Sequence, residues 1–148
     1  MMTRFAFLLL LVAGCGDRYF VNEAAETVPN LYLRDVRVTG GKTKLVFRYE
    51  ADKACEIAVR PPGDPAAFVL RAGDRTWKLT GVSGIAELPA KTAVGARDSL
   101  KFALEFEPLP EDVTEFTVGE AGFDPDAPGD TWQFAAVDLK GGNVVRCW

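Results

Sequence analysis

The sequence predicts an all-β domain: an antiparallel, immunoglobulin-like β-sandwich of about seven to nine strands behind an N-terminal signal and tether. Three observations carry this. Apolar residues alternate with period two, Gly and Pro clusters interrupt them roughly every 8 to 12 residues, and no segment of any length shows a helical period.

At the N-terminus, Met1-Met2-Thr3-Arg4 brings one positive charge, and an apolar run then leads through Val12, Ala13 and Gly14 to Cys15. This is the order of an export signal, and the run falls short of the ~20 residues a membrane-spanning helix needs. Val12-Ala13-Gly14-Cys15 resembles the lipobox of bacterial lipoproteins, an aliphatic residue, two small residues and Cys. The resemblance implies cleavage before Cys15, diacylation of its thiol and, in most members, acylation of the new amino group. An ordinary cysteine behind an ordinary signal is the competing reading. Residues 1–14 are then a signal peptide, 15–30 the lipidated cysteine and a flexible polar tether, and 31–148 the sandwich. Removing residues 1–14 leaves 134 of the 148, enough for one domain with a real core.

The strands follow in order. Residues 31–38 form a first one, bulged because Leu33 and Val36 have opposite parity. Thr39-Gly40-Gly41-Lys42 turns it into residues 44–50, with Leu45, Phe47 and Tyr49 on one face and Lys44, Arg48 and Glu50 on the other. Cys55, Ile57 and Val59 alternate next. Weaker patterns cover 67–71, 76–80 and 85–88. The clearest strand is 99–107, with Leu100, Phe102, Leu104 and Phe106 inward and Lys101, Ala103, Glu105 and Glu107 outward. Residues 115–119 and a bulged 131–139 complete the set. The stretch from Phe102 to Pro110, followed by Phe116-Thr117-Val118 and Trp132-Gln133-Phe134, resembles small immunoglobulin-like extracellular lipoproteins of the immunoprotective-extracellular-protein type, which implies a fold and a location but no activity.

Cysteine usage is consistent with export. With Cys15 assigned to lipid, Cys55 and Cys147 form an even pair and are read as a disulfide, with two separate thiols as the alternative. Such a bond stabilises by roughly 4 to 5 kcal/mol in the chain-entropy model. The formal charge of −4 becomes −5 once Arg4 is removed, 16 basic against 21 acidic residues. An acidic chain without a basic block argues against nucleic acid and against direct binding to anionic headgroups.

Most catalytic chemistry lacks its residues. There is no histidine, hence no Ser/His/Asp triad, no Cys/His pair and no histidine-ligated zinc. Thr39-Gly40-Gly41-Lys42 has neither the spacing nor the helix of a phosphate cradle. Glu105 and Glu107, about 6.5 to 7 Å apart along a strand, have the separation of an inverting glycosidase pair, but alternation puts them on a solvated face. Asp124, Asp126 and Asp130 crowd a proline-stiffened loop that offers oxygens to calcium. The loop lacks EF-hand spacing and a closing Glu, so a plain acidic surface loop competes with that reading, and no other cofactor is implied. Trp77, Trp132 and Trp148, with Tyr19, Tyr32 and Tyr49, fit either core packing or a binding platform. The charges of Arg48, Glu50, Lys101 and Glu105 speak to solubility.

These residues lead to a lipid-anchored, non-enzymatic module of the bacterial envelope, held by lipid on Cys15 and meeting an envelope protein or glycan but no nucleic acid. In a cell with two membranes it sits on the outer one. The alternative is an accessory outer-membrane lipoprotein of a secretion or envelope-spanning machine, a transthyretin-like sandwich docking through residues 89–97 or 121–130.

Overall fold

Alternation along the chain becomes the pleat of a curled antiparallel sheet. The computed structural model describes residues 16–121, 131–134, 136–140 and 143–146. Among these the strands are β1 (Asp17–Ala24), β2 (Leu31–Val38), β3 (Thr43–Glu50), β4 (Cys55–Ile57), β5 (Phe68–Ala72), β6 (Arg75–Ser83), β7 (Thr92–Val94), β8 (Ser99–Phe106), β9 (Glu115–Glu120), β10 (Val137–Asp138) and β11 (Asn143–Arg146). Nine of them form one sheet in the order β10-β9-β5-β6-β8-β3-β2-β1-β11, and β4 pairs with β7 apart from it.

The sheet folds over at β6. Arg75 to Lys78 pair with β5, whereas Leu79 to Ser83 pair with β8, and the register shifts between Leu79 and Gly81. A bulge at this point lets one strand serve both layers. Close by, Gly84 has a φ of +80°, and a Cβ there would lie 2.8 Å from the Lys101 carbonyl oxygen, so glycine is what allows the corner to approach β8. Residues 131–134 stitch the far side: Phe134 N–H donates to Val118 O, Glu26 N–H donates to Gln133 O, and Phe134 bridges Ala25. The result is an all-β antiparallel sandwich whose layers share a strand.

Between the layers lies an aromatic core. Phe47 stacks on Phe102 with centroids 5.2 Å apart, and it meets Phe134 at 5.5 Å and Phe68 at 6.4 Å. Leu33, Val36, Leu45, Leu70, Leu104, Phe106 and Val118 surround it with no exposed surface. Trp132 covers one edge, 6.0 Å from Phe68 and 6.3 Å from Phe102. The alternation read in residues 44–50 and 99–107 is the inward and outward alternation of β3 and β8, which pair from Thr43↔Phe106 to Glu50↔Ser99.

The hairpin at residues 39–42 closes through Thr39 N–H donating to Lys42 O at 3.0 Å. The expected bulge in β2 is present as a register shift between Leu33 and Asp35. Residues 85–88 make only an isolated bridge, Val59↔Glu87, in place of a strand, and β7 lies inside the stretch expected to be an insertion loop.

One expectation is corrected. Residues 16–30 are not a flexible tether, because 17–24 form β1, paired with β2 on one side and β11 on the other. Tyr19 and Val21 pack against the core, and Arg18 bonds to buried Asp35. The aromatic and β-branched run Tyr19-Phe20-Val21 suits a strand, and it was outweighed in sequence by its acidic neighbours. Gly16, just ahead of it, is buried: a Cβ there would lie 2.7 Å from Val38 O and 2.9 Å from Thr39 Cγ2. The chain is therefore fixed against the β2–β3 hairpin from its first described residue.

Candidate functional site

The outward face of β1, β2, β3 and β8 gathers cations that are scattered in the sequence. Cross-strand register sets Arg18 beside Arg37, Arg37 beside Lys44, and Arg48 beside Lys101. Arg34, the extra residue at the β2 bulge, is exposed near them, and its Nη1 donates to Asn22 Oδ1 at 3.2 Å. Six cationic side chains stand here against three carboxylates, Asp35, Glu50 and Glu105, within a chain of net charge −4. Acidic surplus thus lies elsewhere, and this face is its positive counterpart.

At its centre is Asp35, 4% exposed and opposite both Phe20 and Val46. Its Oδ2 accepts from Arg18 Nε at 2.9 Å and from Arg37 Nε at 3.2 Å, with the guanidinium ends at 2.8 and 3.1 Å. Its Oδ1 is buried with no partner. One carboxylate thereby holds two guanidiniums side by side that would otherwise repel. Lys42 pairs with Glu105 and Arg48 with Glu50, both at 3.1 Å. Lys44 stands opposite Glu105, which pairs instead with Lys42, and neither Lys44 nor Lys101 forms an ion pair among the described residues.

Two shallow clefts of about 220 Å³ open on the face, one between Arg37, Lys44, Ser83 and Lys101, the other between Arg34, Arg48, Ser99 and Lys101. Their floor includes Val46 and Ala103, 5% and 6% exposed although they point outward. Long cationic side chains shelter such residues with their methylenes while the charged ends stay in water. Phe20 is 42% exposed on the same side, with the Arg18 guanidinium 4.6 Å above its ring. A broad, shallow, positive surface with one exposed aromatic can hold an extended anionic partner, and it does not enclose a small substrate.

No family model, curated protein or solved structure matches the chain. The residues themselves must then carry the functional reading.

Glu105 and Glu107 hold separate partners: Glu105 meets Lys42, and Glu107 Oε1 accepts from Lys78 N–H at 2.7 Å beyond the end of β8. Trp77 is buried with Arg75 5.2 Å over its ring, and Trp132 packs on the core, so neither forms a platform. Cys15, Cys147, Trp148 and the calcium candidates Asp124, Asp126 and Asp130 lie outside the described residues. Among the described residues no cluster of three His, Cys, Asp or Glu could hold a metal, and no helix is long and apolar enough to cross a membrane.

Cys55 is a free, half-buried thiol that donates to Tyr49 Oη at 3.6 Å. The Tyr49 hydroxyl is held above its ordinary range, first by its hydrogen bond with Cys55 in the sense where the O–H is the donor, then by burial, and then by the negative charges of Cys55 and Asp52, which disfavour a phenolate beside them. Cys147, the other half of the expected disulfide, lies outside the described residues. Cys55 of unreduced, natively purified protein is expected to react with N-ethylmaleimide, and recovery of a Cys55–Cys147 linked peptide would instead establish the bond.

The cationic face escaped the sequence reading because its members occur singly or in loose pairs, at 18, 34, 37, 44, 48 and 101. The available signal was that each falls on the outward parity of a strand or at a bulge. Strand order was needed to make them neighbours.

Proposed function

We propose that the protein is a lipid-anchored, non-enzymatic module of the bacterial cell envelope, held by acyl chains on Cys15 and presenting a β-sandwich for interaction at the membrane. The observation that carries this reading is Val12-Ala13-Gly14-Cys15 at the end of a short apolar run behind Arg4. One acyl chain binds a membrane only reversibly and two or three hold it stably, so a diacylated or triacylated Cys15 suffices as an anchor. The absence of histidine supports the non-enzymatic part, since it removes the commonest general base from the chain.

The test compares the full chain with its Cys15→Ser variant in a host that processes lipoproteins. The parent is expected to incorporate labelled palmitate and to stay with membranes after a wash in about 1 M salt, where charges are screened beyond about 3 Å. The variant should take up no label and should be released by the wash. Label on the variant, or its retention after washing, would overturn the anchor.

A further inference from the structure

We propose that the outward face of β1, β2, β3 and β8 is a second membrane contact, which lays the anchored domain against anionic lipid headgroups. The inference rests on the lipid-anchor reading for its orientation, and the charge and shape of the face are independent of it.

Three observations single out a bilayer. The first is the length of chain between lipid and sheet. Gly16 is buried against Val38 and Thr39, and β1 starts at Asp17. Consecutive α-carbons are 3.8 Å apart, so Cys15 follows within one residue of the sheet. A lipid there brings the corner formed by Gly16, Val38 and Thr39 to the membrane surface, with no leash to hold the domain away.

The second is the charge on the outward face beside that corner, since Asp17, the carboxylate next to Gly16, has the parity of core-packed Tyr19 and accepts from its hydroxyl. Arg18 is three residues from Cys15 and lies outward, and register carries the positive row on to Arg37 and Lys44 before it meets Glu105, which Lys42 pairs. Lys101 and Arg48 extend it up the strands, beside the open clefts. Lys44 and Lys101, in no ion pair among the described residues, can meet phosphates without breaking one. An acyl anchor and a polybasic surface are the two signals that together make membrane attachment firm.

The third is Phe20, exposed on this face two residues beyond Arg18. An aromatic ring with the Arg18 guanidinium over it fits the boundary between acyl chains and headgroups, where the ring sits in apolar surroundings and the neighbouring cations reach phosphate. A soluble acidic polysaccharide would match the charge, but it would give neither the adjacency to Cys15 nor an apolar environment for Phe20. The acidic composition that argued against headgroup binding is an average over the chain, and the fold separates the charges.

The closing experiment uses the mature chain with Cys15→Ser, unacylated, which keeps every described core residue. It is sedimented with vesicles of phosphatidylcholine alone or with phosphatidylglycerol as about a third of the lipid, at low and high salt. Partition onto anionic vesicles is expected to exceed that onto neutral ones by about tenfold or more and to vanish at about 1 M salt. Lys44→Gln with Lys101→Gln should weaken the preference at an unchanged melting temperature, and Lys44→Glu with Lys101→Glu should remove it, at a small cost in stability because residue 44 stands opposite Glu105. Equal partition onto both vesicle types, or indifference to the charge-reversed pair, would overturn the proposal. So would retention on an acidic polysaccharide such as heparin without vesicle binding, which would assign the face to a glycan. Because this assay contains no acylated protein, failure of palmitate labelling in the full chain removes the anchor alone, and failure here removes the face alone.

Discussion

Phe47→Ala is expected to lower stability by about 3 to 5 kcal/mol, read as a fall in the urea midpoint at unchanged m-value. Phe47 is 1% exposed at the middle of β3, between β2 and β8, and its ring touches Phe102 in its own layer and Phe68 and Phe134 from the other side. Alanine deletes the ring from a position where three other rings are held by separate strands and segments, so collapse into the space is resisted and a cavity term adds to the lost transfer energy. Domains of this size are stable by only about 5 to 15 kcal/mol, so the loss is a large share of the total. Phe20→Ala is the matched control: the same atoms leave an exposed site, and the expected change is within about 0.5 kcal/mol. A Phe47→Ala cost below about 1 kcal/mol would mean that the layers do not meet through this ring.

Why these faces were legible and their neighbours were not follows from what period two encodes. Alternation in residues 44–50 and 99–107 fixes which side chains enter the core, because successive Cβ atoms point to opposite faces. It carries nothing about which strand lies alongside. β3 and β8 are adjacent although about fifty residues separate them, and β11 closes against β1 from the other end of the chain. Turn chemistry located a local pairing, β2 with β3. β1 was missed because its apolar residues are few and flanked by acids, and its stability comes from partners distant in sequence: Tyr19 on the core, Arg18 on Asp35, and backbone bonds to β2 and β11. The cationic face was missed for the same reason. A charge patch on a sheet is a property of strand order, and composition averages it away.

Asp35→Ala is expected to move two measurements in opposite directions. Stability should fall by about 2 to 3 kcal/mol, somewhat less than the loss when one member of a fully buried ion pair is removed, because the Arg18 and Arg37 side chains are 30% and 19% exposed and water can reach them. The carboxylate now accepts from both guanidiniums through Oδ2. Without it, two like charges face each other across β1 and β2 with no acceptor between them. Asp35→Asn separates the contributions, since it keeps a side-chain oxygen and the shape while removing the charge, and it should cost about half as much. Membrane partition should respond the other way. Removing Asp35 leaves six cations against Glu50 and Glu105, so the unacylated Cys15→Ser chain carrying Asp35→Ala should bind anionic vesicles more tightly, by up to about fivefold, at temperatures where it remains folded. A purely structural role for the Asp35 cluster predicts the stability loss alone. Vesicle affinity that stays constant or falls while the fold persists would mean that Arg18 and Arg37 do not face the lipid, and would confine the second membrane contact to Lys44, Arg48 and Lys101.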